Sequence, residues 1–239
     1  MLPYFYQENL TANKGIFILD EDTSRHCSQV LRMQAGEALL LTNGRGLMAE
    51  AVIVTPNRKR TQVNINSINT TAADKPQFSL AIALTKNKSR NEWLLEKVTE
   101  MGVTHIYPIH AKRSEKEKVK EERFQSILIA AMLQSQQVFL PMLHEVQKLE
   151  AFLKQQVDFD GLKFIAHCEE GQEKNDYLKQ LVPGKNVCVL IGPEGDFSPE
   201  EIEICLKQSF KPVSLGENRL RTETAGMYSC ALFNAINNE

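Results

Sequence analysis

Apolar positions change their period near residue 71 of the chain. From Ile16 to Ile68 they fall in short runs. "TQVNINSI" (61–68) alternates apolar with polar, as a strand with one face on a core does. "EALLLTNGRGLMAEAVIV" (37–54) is a pair of apolar runs around Asn43-Gly44, residues suited to the positive φ angles of a tight hairpin turn. One helix interrupts the strands. "EDTSRHCSQVLRM" (21–33) places Cys27, Val30 and Leu31 on one face, with Gly36 as the stop. These elements predict a small β-barrel-like domain over residues 1–71.

"TAADKP" (71–76) is small, polar and closed by a proline that disfavours helix before it, which suits a linker. Beyond it the strands are nearly continuous apolar runs: "SLAIAL" (79–84), "HIYPI" (105–109), "LKFIAH" (162–167), "NVCVLI" (186–191) and "PVSL" (212–215). Helical stretches lie between them. One carries Phe124, Ile127, Leu128, Ala131, Ser135 and Val138 on a single face before Pro141 ends it. On another, Trp93, Leu94, Val98 and Met101 read as packing residues. Strands buried on both faces and alternating with helices predict a parallel α/β sheet over residues 72–239.

Composition narrows the chemistry. The 239 residues carry a net charge of −2, so no global basic field exists and a nucleic-acid partner needs local cation clusters. Arg58, Lys59 and Arg60 form one such run, and Arg25 and Arg32 flank the first helix. The mixed-sign run "KRSEKEKVKEER" (112–123) reads instead as a solvated loop and helix start. Five cysteines stand far apart without metal-ligand spacing, which predicts buried thiols in a reducing cytoplasm and no bound metal. Neither a signal peptide nor an apolar stretch long enough to span a membrane is expected.

Two stretches exceed what connection requires. "LIGPEGDFSPEE" (190–201) leaves a strand through two glycines, a proline and a carboxylate. Ser198, Pro199 and Glu201 then form a capping box that explains the following helix, but not the loop before it. Gly192 and Gly195 offer positive φ or close backbone approach, and Pro193 stiffens the turn. "SLGENRLRTETAGMYSCALFNAI" (214–236) crosses a second glycine-bearing loop into a mostly apolar helix, with Arg219, Arg221 and Glu223 at its threshold. Charges beside a buried helix are costly unless paired or functional, while a threonine of the pair Thr222 and Thr224 serves as its cap. There is no P-loop, and the lone G-x-G at Gly44 lies in the hairpin.

Together these two stretches resemble the C-terminal signature of the SPOUT methyltransferases, and specifically the small-subunit ribosomal RNA methyltransferase E family. "RHCSQVLRMQAGE" (25–37) and the segment carrying Lys86, Lys97, Glu100, Gly102 and Val103 are similar to further family segments. Two departures stand out. Asp196 occupies a position that the family fills with glycine, and "LQSQQ" near 134–137 lacks the family's acid and arginine. The resemblance implies a parallel sheet with a deep trefoil knot, a PUA-like RNA-binding barrel at the N-terminus, a homodimer, and bound S-adenosylmethionine. The reaction implied is methylation of uracil N3 in 16S ribosomal RNA of the small subunit.

Carried onto this chain, the cofactor loops are Ala166 and His167 within "AHCEE" (166–170), Ile191, Gly192, Pro193, Glu194 and Gly195, and Leu215, Gly216, Leu220 and Thr222. Arg25, Arg32, Arg58, Lys59 and Arg60 are the expected RNA contacts. Methyl transfer from a sulfonium is an in-line displacement that requires no metal, but the N3 proton must leave. Either Glu223, or secondarily Glu194, accepts it as a base, or Arg221 stabilises the uracil anion. The catalytic expectation is therefore an essential Arg221, with Glu223 orienting it or taking the proton. The rivals are a non-catalytic RNA-binding relative, a methyltransferase of tRNA, and an enzyme holding a phosphorylated ligand at the helix start near Ser198.

Overall fold

The computed structural model describes residues 2–73, 76–115, 120–169 and 174–237. Asp74 and Lys75 of the expected linker, residues 116–119 of the mixed-charge run, and Glu170 of the loop 166–170 lie outside the described residues. The chain divides into two compact units, residues 1–74 with 132–140 and residues 75–131 with 141–239.

The first unit is built on β1 (Tyr4–Tyr6), β2 (Gly15–Ile18), α1 (Glu21–Arg25), β3 (Ala38–Thr42), β4 (Leu47–Thr55) and β5 (Gln62–Thr70). The strands form one sheet in the order β1-β3-β4-β5-β2, with β1 and β3 parallel and the other pairs antiparallel. Register shifts in the β4–β5 ladder bend the sheet, as bulges do. Its inward side chains, among them Leu39, Leu41, Ala49, Ile53 and Val63, bury one core with Phe5, Leu19 and Cys27. Between β3 and β4, Gly44 (φ 69°) takes a positive angle as expected, but Asn43 does not, and Gly46 (φ 88°) supplies the second. A side chain on Gly46 would strike the carbonyl oxygen of Thr71 and the ring of Phe139.

The first helix departs from its expected form. After Arg25 the turn widens, the Leu31 amide donating to the carbonyl of His26 and the Met33 amide to that of Cys27. The wider turn keeps Cys27 buried but rotates Val30 (68% exposed) and Leu31 off the core face.

The second unit contains β6 (Phe78–Ala83), α2 (Lys88–Glu100), β7 (His105–His110), α3 (Glu121–Gln134), β8 (Met142–Leu143), β9 (Gln147–Lys148) and α4 (Leu149–Gln155). It continues through β10 (Leu162–Ala166), β11 (Asn175–Asp176), α5 (Tyr177–Gln180), β12 (Val187–Ile191), α6 (Pro199–Lys207), β13 (Lys211–Ser214) and α7 (Thr222–Asn237). Its sheet is parallel throughout, in the order β11-β13-β10-β12-β6-β7-β8, with β9 also pairing with β7. Every residue of β6 and β12 is buried, as unbroken apolar runs require. Strand β12 inserts between β6 and the earlier β10, and β13 then adds outside β10. The sheet's growth thus reverses direction here, which sets the C-terminal ends of β10, β12 and β13 side by side.

Two further expectations are corrected. Helix α3 stops at Gln134 rather than continuing towards Pro141. Gln136 adopts φ 56°, and the Gln137 amide closes on the Met132 carbonyl, a left-handed helix stop. Residues 137–140 then lie against the β3–β4 turn, where Gly46 N donates to Val138 O and Leu140 N to Gly44 O. Trp93 is 41% exposed. The buried stripe of α2 is Asn91, Leu94, Leu95 and Val98, and Trp93 shares its outward face with Arg90 and Lys97.

Helix α7 packs closely on the sheet at Gly226, where a Cβ would approach Ile82, Leu94 and Leu80. No described helix is long and apolar enough to cross a membrane. Four cysteines are buried as expected, whereas Cys168 is exposed; all five are free.

Away from these strand ends, Nδ1 of His105 lies 3.2 Å from Nε2 of His144, and the Tyr107 ring stacks on His144 at 3.8 Å. Burial depresses the proton affinity of both imidazoles, and for His144 the neighbouring ring adds to it. The unfolded chain then takes up protons near pH 6.5 that the folded pair resists, so stability falls as pH drops through that value. The melting temperature is expected to decline from pH 7 to 5.5, and His144→Gln to flatten that decline. An unchanged slope in His144→Gln would refute the assignment.

Candidate active site

Three loops at the neighbouring ends of β10, β12 and β13 enclose a cavity of about 830 Å³. Ala166 and His167 come from the first loop. Ile191, Gly192, Pro193 and Glu194 come from the second, and Leu215, Gly216, Leu220, Arg221 and Thr222 from the third. Of the expected cofactor residues only Gly195 is absent from the lining. Its carbonyl instead accepts from Nη1 of Arg113 at 2.9 Å, which holds the turn from behind.

The glycines act by close approach rather than by handedness. A Cβ on Gly192 would come within 3.0 Å of the Phe197 ring, and one on Gly195 within 3.3 Å of the Arg113 side chain. The positive φ in this loop belongs to Asp196, at 63°. Gly216 does adopt φ 120°, with open space where a side chain would point. Thr222 begins α7, but its hydroxyl donates to the carbonyl of Gly192 at 3.1 Å, tying the third loop to the second.

Helix α6 starts as its sequence requires. Ser198 accepts from the Glu201 amide, and the Ser198 amide donates to Oε2 of Glu201 at 2.8 Å. Oε1 of Glu201 also accepts from the Lys112 amide at 2.6 Å. The helix N-terminus is therefore filled by its own carboxylate, which removes the support for a phosphate there.

The charged residues are arranged differently from expectation. Arg221 is exposed and lines the cavity. Glu223 is buried, and its ion pair is with Arg90, Nε to Oε1 at 3.5 Å, not with Arg221. Arg90 Nη1 also reaches Glu194 at 3.1 Å, so one guanidinium joins the second loop to the start of α7. Oε2 of Glu223 and both ring nitrogens of His167 are buried with no hydrogen-bond partner among the described residues. Burial, and then Lys174, hold the His167 imidazole below its usual proton affinity, with Asp196 and Glu169 opposing.

Sequence reading overlooked Arg90 and Arg113, and noted Asp196 only as a departure from the family's glycine. A signal for Arg90 was present: the first turn of α2 has no acid and carries Lys88 and Arg90, where the helix dipole disfavours cations. Arg113 lay inside a run read as solvated.

The expected RNA contacts are all exposed and belong to the first unit. Arg58, Lys59 and Arg60 occupy the β4–β5 turn, where the Asn57 side chain accepts from the amides of Lys59 and Arg60. The Thr61 amide donates to Ser24 Oγ at 2.9 Å, which sets this turn beside Arg25. Arg25 is paired with Asp22, and Arg32 lies beyond the widened turn at φ 54°.

Comparison with known proteins places both units. An RNA methyltransferase domain model matches residues 73–234, and an RNA methyltransferase PUA domain model matches residues 19–66. A probable rRNA-methyltransferase from Porphyromonas gingivalis is 38% identical, with a TM-score of 0.89 over 99% of this chain and 98% of that one. A Legionella pneumophila protein solved in complex with the bound cofactor SAM is 30% identical, with a TM-score of 0.86 and the same coverage. The ribosomal RNA small subunit methyltransferase E of Bacillus subtilis is 26% identical, covering 89% of this chain and 87% of its own length.

Proposed function

Since the chain belongs to the RNA methyltransferase family, in its methyltransferase E branch, we propose that it methylates N3 of a uridine in 16S ribosomal RNA of the small subunit, with S-adenosylmethionine as the methyl donor. The observation that carries this reading is the meeting of three separate strand-end loops around one cavity with Arg221 on its wall. A cavity of about 830 Å³ suits a nucleoside-sized ligand. Bare backbone at Gly216, with open space where a side chain would point, suits the edge of a flat heterocycle. The nitrogens of His167, without a partner among the described residues, are groups that a polar ligand would satisfy.

When bound, S-adenosylmethionine supplies a methyl group on a positively charged sulfur. The residues of this chain hold donor and acceptor in line and manage the proton on N3. Arg221, facing the cavity, stabilises the negative charge that grows on the uracil carbonyls as N3 passes its proton to water or to Glu194 on the same wall, with a neutral thioether as the leaving group. Glu223 works through Arg90, fixing that guanidinium over the loop of Glu194. Thr222 and Arg90 together keep the second and third loops in register. The trefoil threading is carried into this proposal from the family resemblance. The small unit, residues 1–71 in this proposal, binds RNA through Arg25, Arg32, Arg58, Lys59 and Arg60. Tyr228 on the outer face of α7 is exposed and available to a second copy in a homodimer.

Small subunits from cells lacking the gene, incubated with labelled S-adenosylmethionine, should yield 3-methyluridine at one site in 16S RNA. Label in a different nucleoside, or in tRNA alone, would replace the proposed target. Binding of RNA but not of S-adenosylmethionine would reject enzymatic transfer.

A further inference from the structure

Asp196 holds a backbone angle of 63°, uncommon for a residue with a side chain. Among the described residues its carboxylate accepts two hydrogen bonds. Oδ1 accepts from the amide of Phe197 at 2.8 Å, and Oδ2 accepts from the amide of Cys168 at 2.6 Å. The second bond crosses from the loop after β12 to the loop after β10, the two neighbouring strand ends beneath the cavity. The Asp196 amide donates to the carbonyl of Pro193, and this turn is what aims the carboxylate at Cys168. Glycine would adopt the same angle without strain but would bring no acceptor.

His167, next to Cys168, borders the cavity, and neither ring nitrogen has a hydrogen-bond partner among the described residues. The tie at the Cys168 amide is therefore the bond that sets where this wall of the cavity stands. We propose that Asp196 is a positioning residue of the donor site, its carboxylate locking the loop 166–168 in the cavity-forming geometry before the ligand arrives. Order established in advance is order that binding need not impose, and affinity rises accordingly. A charge-assisted bond to a backbone amide is strong enough for its loss to be measurable. This inference rests on the S-adenosylmethionine reading above.

The test uses the full chain and the variants Asp196→Gly and Asp196→Asn. Amide exchange over residues 166–169 is followed without ligand, and affinity for S-adenosylmethionine is titrated separately. Wild type should protect the Cys168 amide. Asp196→Gly should lose that protection and bind about tenfold more weakly, with its melting temperature and its turnover at saturating donor nearly unchanged. Asp196→Asn tolerates the angle and keeps an acceptor, and should recover most of both properties. Equal protection in Asp196→Gly would overturn the clamp. Lost protection with unchanged affinity would overturn its role in binding. Failure of wild type to bind the probe would reject the donor reading and with it that role, while the exchange result would still decide the clamp.

Discussion

Arg221→Ala is expected to slow methyl transfer by about 10²–10³-fold, the loss seen when one donor to a developing anion is removed. The protein should fold as before. Arg221 is exposed and no ion pair to it is found among the described residues, so its removal leaves no buried partner stranded. Affinity for S-adenosylmethionine should change little, because the loss falls on charge that develops only during reaction. Arg221→Lys should be intermediate, since an ammonium keeps the charge but not the planar fork. Single-turnover transfer with saturating RNA and donor is the measurement. Wild-type turnover in Arg221→Ala would remove Arg221 from the chemistry and return the question to Glu194 and Glu223.

The largest effect on stability is expected at Glu201. This buried carboxylate accepts from the amide of Ser198 and, across the fold, from the amide of Lys112. Glu201→Ala leaves the buried Ser198 amide without its acceptor and removes the partly buried bond to Lys112, at a cost of about 1–3 kcal/mol. Glu201→Gln retains one acceptor oxygen and should lose less. Equilibrium denaturation, with the midpoint shifting at constant slope, measures the difference. The change should also reach the cavity, because Arg113 follows Lys112 and holds the carbonyl of Gly195. A shift below about 0.5 kcal/mol would mean that water replaces the Lys112 contact at no cost.

Much of the fold was legible along the chain. The two apolar runs of the hairpin became β3 and β4, the period-two run became β5, and the unbroken apolar runs became the parallel strands β6, β10 and β12. The cap of α6 formed from Ser198 and Glu201 as their spacing requires. In each case the determinant is local: side-chain period, a glycine's φ, or a capping bond closed within four residues. The loops 191–195 and 215–222 were legible for a related reason. Glycine, proline and unpaired charge are costly where nothing uses them, so their cost shows in the sequence itself.

What tertiary structure alone decided depends on groups far apart in the chain. Val30 and Leu31 have the spacing of a core face, but a widened turn carried them outward. Helix α3 lacked a stop that periodicity could reveal, and the left-handed Gln136 supplied it, sending residues 137–140 back to the first unit. The partner of Glu223 proved to be Arg90 on α2 rather than Arg221 two residues away. Neighbours at i and i+2 on a helix point apart, whereas α2 and α7 pack side by side. Asp196 met the Cys168 amide only because β12 lies next to β10 in the sheet. Sequence determined which elements form and which loops carry unusual residues. The order of strands in the sheet determined which of those residues meet, because pairing across the sheet is a choice made by packing over long separations and leaves no period in the chain.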